Sequence, residues 1–376
     1  MAREVVITGV GVVSSVGEGV EPHLAALRPG FEPRVDETTF APYPVHPAVH
    51  LDWDKQIPKK SDQRQMEPWQ RLGVYAAGLA LESAGVKADA ALKARMHLIV
   101  AAGGGERDYA VDGQILTGIR SAANPGVFLN ERLMGDLRPT LFLAQLSNLL
   151  AGNISIVHGV TGASRTFMGE ESAGIDAIRI ARGRIASGQA DFFLVGGSYN
   201  GERADAHLIY EMGGFYWKKP FRSVWERPAE GGGLIPGSAG AFMVMEAREH
   251  ADARGAKPLA AVAGVSSERT RRMPGALAAA LASQWRALGA SPEAVVLSGA
   301  TGVAEPTLEE QAALHEVAPG ATIHAVGDII GHSLEAQAPV GTILAAALVA
   351  AGAPQAVVTA VGHWRGDGLI GLTRAA

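Results

Sequence analysis

The stretch Thr161–Ile178, TGASRTFMGEESAGIDAI, decides the fold, because it opens a long helix directly behind a glycine-punctuated turn. That helix is predicted from about Glu171 to Ser187, with two adjacent acids, Glu170 and Glu171, at its start. Asn148–Asn153 (NLLAGN), Gly159, Gly162 and Gly174 surround it, and DFFLVGGS at Asp191–Ser198 supplies the next strand, Phe192–Val195. The chain contains no cysteine, which excludes disulfides, zinc–thiolate sites and thiolate catalysis.

Outward from this stretch, the same order of elements occurs twice. Strand Glu4–Val13, a helix around Trp69–Ala84, strand His97–Ala102, the Glu171 helix and strand Phe192–Val195 form the first pass. Strand Leu259–Val265, helix Ala276–Leu288, strand Ala294–Ser298, helix Val340–Ala351 and strand Ala356–Val361 form the second. Short apolar strands alternating with helices predict mostly parallel sheets buried on both faces. A repeat of roughly 200 residues is too long for a solenoid and predicts two similar halves packed together. The halves are placed at 1–250 and 251–376, with irregular cap insertions at about 39–65, 105–137 and 199–235.

Composition sets the outer bounds. Of 376 residues, 47% are hydrophobic and 19% charged, so a large buried interior is expected rather than disorder. A net charge of −5 gives no reason to expect a nucleic-acid partner. The uncharged run Ala336–Gly362 is broken by Pro339, Gly352, Pro354 and Gln355, so it reads as a buried helix and strand rather than a membrane span. A cytoplasmic location is expected. The run from Thr140 to Leu150 fits a dimer interface, a tunnel wall or plain core.

Four segments in this order resemble the β-ketoacyl-acyl-carrier-protein synthases (ketosynthases) of the thiolase superfamily. They are REVVITGVGVVSSVGEGV at the start, Arg138–Ser164 entering the long helix, Pro220–Glu246 (PFRSVWERPAEGGGLIPGSAGAFMVME) and Ala325–Gly341 (AVGDIIGHSLEAQAPVG). The resemblance implies an α/β thiolase-like fold: two halves, each with a five-stranded, mostly parallel or mixed sheet, in α-β-α-β-α layers. It also implies a decarboxylating condensation, in which a cysteine at a helix start takes an acyl group from an acyl carrier protein. Two histidines and a lysine assist.

Carried onto this chain, the pattern is largely missing. Counted back from Gly174, the cysteine position is Glu171; the first histidine falls on Thr301, the lysine on Gly327, and only the second histidine remains, as His332. The family's terminal Gly-Phe-Gly-Gly loop becomes GHWRGDG at Gly362–Gly368, offering Gly362, His363 and Arg365 as substrate-binding candidates, with Arg365 a partner for Glu171. No cofactor or metal is expected.

A glutamate at a helix start is held ionised by the dipole, by roughly 0.3–1 kcal/mol, which makes it a poor base and nucleophile. Glu171 therefore reads as a helix-start acid or a shape-keeping group, as glutamine is in the family's chain-length-factor subunits. The carboxylates Glu305, Glu309 and Glu310 read as caps and solvated charge. The leading expectation is a non-condensing subunit of fatty-acid (very-long-chain included) or polyketide biosynthesis. It would pair with a cysteine-bearing synthase, or with itself, through the strand at Phe192–Val195, and shape the acyl tunnel. The alternatives are a stand-alone acyltransferase, malonyl decarboxylase or thioesterase using Glu171 and His332, and a non-catalytic homodimeric acyl-binding protein.

Overall fold

The computed structural model describes residues 2–105, 107–138 and 141–376, with the side chain of Ala144 also left undescribed. Glu106, in one cap insertion, and Thr140, at the head of the apolar run, lie outside the described residues.

Among the described residues ten strands form one mixed sheet: β1 (Val5–Val13), β2 (His97–Ala101), β3 (Ser164–Phe167), β4 (Phe192–Tyr199), β5 (Ala239–Ala247), β6 (Ala260–Glu268), β7 (Val295–Ser298), β8 (Ile323–Ala325), β9 (Gln355–Val361) and β10 (Asp367–Thr373). Their spatial order is β3-β2-β4-β5-β1-β6-β10-β9-β7-β8. The first five strands run third, second, fourth, fifth, first, and the last five repeat that order in mirror image. Pair by pair the directions match as well. β2 is parallel to β3 and β4, with β4–β5 and β5–β1 antiparallel; β7 is parallel to β8 and β9, with β9–β10 and β10–β6 antiparallel. The two five-stranded runs meet through two residue pairs, Val6↔Ala261 and Ile7↔Ala260. The sequence repeat is thus a structural duplication.

Side-chain alternation along each strand builds the layers. In β4, Phe193 and Val195 enter one core while Phe192 and Leu194 enter another; in β9, Ala356, Val358 and Ala360 separate from Val357 and Val361 in the same way. The shared inner core holds the helices Glu171–Ala186 and Gln337–Ala350 between the two sheet halves. Helices Pro68–Ser83 and Leu149–His158 cover the outer face of the first half, and Ala276–Ala287 with Ala304–Val317 that of the second. This gives five layers, helix, sheet, helix, sheet, helix. The uncharged run becomes the central helix and β9, and among the described residues no helix is long and apolar enough to cross a membrane.

Gly174 is where the two central helices close on each other. A β-carbon there would lie 2.6 Å from the Glu335 carbonyl oxygen and 2.8 Å from Pro339 Cδ, so no larger residue fits without moving backbone.

Two expectations need correction. Strand Phe192–Val195 is interior, paired with β2 and β5, so it has no edge to offer a partner; the free edge in that half is β3. The three carboxylates singled out on the Ala304–Val317 helix are not alike. Glu309 accepts from the backbone amides of Gly275 and Ala278 and so caps the start of the preceding Ala276–Ala287 helix, whereas Glu310 is fully buried. Pro306, Thr307, Glu310, Ala313 and Leu314 share the helix's inward stripe. There Ser298 Oγ donates to Glu310 at 2.7 Å and Thr359 Oγ1 also donates, while burial pushes the acid up to about 7.

Candidate functional site

The site begins at a sharp turn. β3 ends at Phe167, Gly169 follows with φ 126°, Glu170 takes φ 61° and ψ −139°, and the inner helix starts at Glu171. A non-glycine residue in that region costs on the order of 1–3 kcal/mol and persists only where its surroundings enforce it. The strained strand-to-helix geometry is that of a nucleophile elbow, and the strained residue is Glu170, one position before Glu171. Glu335 Oε1 accepts the Glu170 amide at 3.3 Å and helps hold the turn.

Glu171 points into the interior, 1% exposed. Its Oε1 pairs with His332 Nε2 at 2.6 Å and His363 Nδ1 at 2.9 Å, and accepts the His363 amide at 3.3 Å. Burial opposes ionisation, but the charge of His363 and the hydrogen bonds from both histidines outweigh it and hold the carboxyl well below the usual range. His363 responds in kind: burial lowers its pKa, and the charges of Glu171 and Glu170 more than compensate and raise it. Glu170 behaves oppositely. Burial pushes its carboxyl up, against the His363 charge; Tyr210 OH donates to it at 3.3 Å and His363 Nε2 lies 3.5 Å away.

Each histidine is braced. The His332 amide donates to Ile235 O at 2.7 Å and its carbonyl accepts from Gly237, zipping the Gly-His turn to that strand-like segment. Arg272 donates to the carbonyls of Gly362 and Gly366 and pairs with Asp367, while Gly362 N donates to Gly366 O, which closes the loop carrying His363. Tyr210 and Phe215 pack edge-on to the His363 ring, with centroids 5.2 and 4.8 Å away.

A cleft of about 490 Å³ opens beside Glu170, with Tyr210, Phe215, Arg269, Trp364 and Arg365 in its wall. A second cavity of about 270 Å³, lined by Trp69, Tyr199, Arg203, Leu334 and Glu335, shares Met168–Glu170, Ile209 and Tyr210 with the first.

The structure joins Glu171, His332 and His363. Among the described residues, Thr301 and Gly327 make no hydrogen bond or ion pair with that group. Thr301 is buried and accepts the Val303 amide, and Gly327 packs against Ala300. Gly362 contributes backbone only, and Arg365 lies at the cleft wall, with Glu171 Oε1 paired to the two histidines instead. Sequence reading missed Tyr210 and Glu335. Burial pushes Glu335 up to about 7, and its Oε1 fills space that a β-carbon on Gly103 would claim at 2.6 Å. The available signal was a lone acid three residues after His332, at the mouth of a long uncharged run.

A duplicated five-layer α/β fold with a strained elbow at the central helix is the thiolase-like arrangement. Residues 2–251 match the family described as Beta-ketoacyl synthase, N-terminal domain, and the chain belongs to that family. It is 30% identical over 275 residues to 3-oxoacyl-[acyl-carrier-protein] synthase 2 of Vibrio cholerae, covering 70% of this chain and 62% of that protein. It is 27% identical over 263 residues to the actinorhodin polyketide putative beta-ketoacyl synthase 2 of Streptomyces coelicolor, covering 67% of this chain and 60% of that one. The chain thus spans about 60% of the length of the curated relatives it matches. In fold it resembles the ishigamide ketosynthase/chain length factor (TM-score 0.81, 20% identity, both chains covered completely). It also resembles a type II polyketide acyl-carrier protein complex with its ketosynthase bound to the hexaketide (TM-score 0.77, 18% identity, again covering both chains completely).

Proposed function

We propose that this chain is a non-condensing ketosynthase-like subunit of fatty-acid or polyketide assembly. In this reading it works in the cytoplasm, pairs with a cysteine-bearing 3-oxoacyl-carrier-protein synthase and shapes the cavity that receives the acyl chain. One observation carries the reading. Where the family places its thiol, this chain has Glu171, an ionised, buried carboxylate whose oxygen is shared by two imidazoles. Such a group is a poor nucleophile and a poor base. Thr301 and Gly327 add no proton donor of the kind the family's histidine and lysine supply. The free edge at β3 and exposed apolar side chains such as Phe142, Met168, Ile209 and Met212 support a partner surface. Arg269 and Arg365 at the cleft suit an acidic carrier protein and its phosphate-bearing arm.

The experiment is co-expression with a cysteine-bearing 3-oxoacyl-carrier-protein synthase. The two chains are expected to co-purify, to condense acyl and malonyl units, and to keep that activity with Glu171→Gln; a synthase fully active without this chain would contradict the proposal.

One observation favours a second reading, a stand-alone thioester hydrolase or malonyl decarboxylase. Glu170 is strained, borders the open cleft, and has its carboxyl pushed up by burial. That reading moves the chemistry from Glu171 to Glu170. It requires turnover by the isolated chain that Glu170→Gln removes.

A further inference from the structure

We propose that Glu171, His332 and His363 bind a divalent transition-metal ion, Zn²⁺ or Co²⁺ rather than Mg²⁺, which ties the 362–366 loop to the elbow. The three side chains each offer one donor atom, and the three atoms lie within 4.8 Å of one another. They reach it from three separate segments: the start of the inner helix, the Gly-His turn and the Arg272-braced loop. A metal held at roughly 2.0–2.2 Å from imidazole nitrogen and carboxylate oxygen needs donor atoms about 3 Å or slightly more apart. The present spacings from Glu171 Oε1, 2.6 and 2.9 Å, need only a small outward movement.

A second observation points the same way. Glu171 Oε2 is buried with no hydrogen-bond partner among the described residues, so hydrogen bonding leaves this carboxylate unsatisfied. A cation would offset the charge of Glu171 beside the neighbouring Glu170 and leave Oε2 available as a further donor. The outer surroundings also fit. His363 Nε2 faces Glu170 Oε1 at 3.5 Å, the carboxylate–imidazole arrangement that orients a metal-bound histidine. Two imidazoles and one carboxylate favour later first-row metals over Mg²⁺ or Ca²⁺, which prefer all-oxygen sites. The inference stands apart from the subunit reading, because it concerns what fills the elbow and not what pairs with the chain.

The test is metal analysis of the full chain as purified, followed by EDTA treatment and titration with Co²⁺ and Zn²⁺. One ion per chain is expected, with the visible ligand-field absorption of Co²⁺ bound by nitrogen, a higher melting temperature, and no response to Mg²⁺. His363→Ala lies in a loop and is expected to weaken Co²⁺ binding by about 100-fold or more, on the scale seen when metal-site residues are lost. Glu171→Gln, nearly the same shape, guards against misfolding and is expected to weaken it as well. Failure to bind Co²⁺ stoichiometrically, or binding unchanged in both variants, overturns the proposal whatever the outcome of the co-expression experiment.

Discussion

Glu171→Cys is expected to leave the chain unable to condense, with a rate at least about 10⁴-fold below that of a cysteine-bearing synthase assayed beside it. A thiol at that helix start would gain from the dipole and from nearby His332 and His363, so thiolate formation is not the obstacle. The obstacle is the rest of the reaction. Losing one preorganised donor to a developing oxyanion costs on the order of 10²–10³ in rate, and in the proposed reading two such positions fall on Thr301 and Gly327, which make no hydrogen bond to the Glu171 group among the described residues. Their losses multiply to about 10⁴–10⁶ where they act independently. Carrying the thiol on the strained residue instead, as Glu170→Cys, is expected to do no better. The assay follows acyl- and malonyl-carrier protein by mass in the presence of EDTA, so that metal capture by the new thiol plays no part. Condensation within about 100-fold of the comparison synthase would show that the site keeps its helpers.

Glu246→Ala is expected to be the most damaging substitution away from the elbow, destabilising the chain by about 3–5 kcal/mol. Glu246 is fully buried on β5. Its oxygens take Arg254 Nη2 at 2.5 Å, Arg254 Nε at 3.0 Å, His250 Nδ1 at 2.6 Å and the Thr8 hydroxyl of β1. Removing the carboxylate strands a guanidinium that also holds the Ala84 carbonyl. Burial works against ionisation here, but the hydrogen bonds from His250, Arg254 and Thr8 win and lower the pKa to about 2. A folded pKa below the unfolded value near 4.5 means this stabilisation is full above pH about 4.5 and fades as pH falls toward 2. The stability gap between wild type and Glu246→Gln in urea unfolding should therefore narrow progressively below pH about 4.5 between pH 7 and 3. A gap under about 1 kcal/mol at pH 7 would place the cluster among ordinary surface pairs.

How much of this was legible depended on element length and on burial. The duplication could be read from strands such as Phe192–Val195 and Ala356–Val361, whose nearly continuous apolar runs report burial on both faces. The edge strands could not. SRTF in β3 and IHA in β8 are four and three residues long and partly polar, as exposed edges tend to be. Glu171, His332 and His363 were each singled out from sequence, yet the bond network joining them was not foreseen. His363 had been grouped with Arg365 as a loop residue, and only the folded loop shows that one turns inward while the other stays at the cleft. Glu335 was not singled out and Glu310 was read as a cap or solvated charge, because an acid on a helix face reads as solvated until the packing around it is known. The strain at Glu170 is a backbone property with no sequence signature in a non-glycine residue.

The central claim is that the elbow keeps its shape without performing acyl chemistry. It is tested most directly by intact-mass spectrometry of the isolated chain mixed with acyl- and malonyl-carrier protein over several hours. The account predicts an unmodified chain and undiminished carrier thioesters. An acyl adduct on Glu170 or Glu171, or loss of the carrier-bound groups that Glu170→Gln prevents, would contradict it.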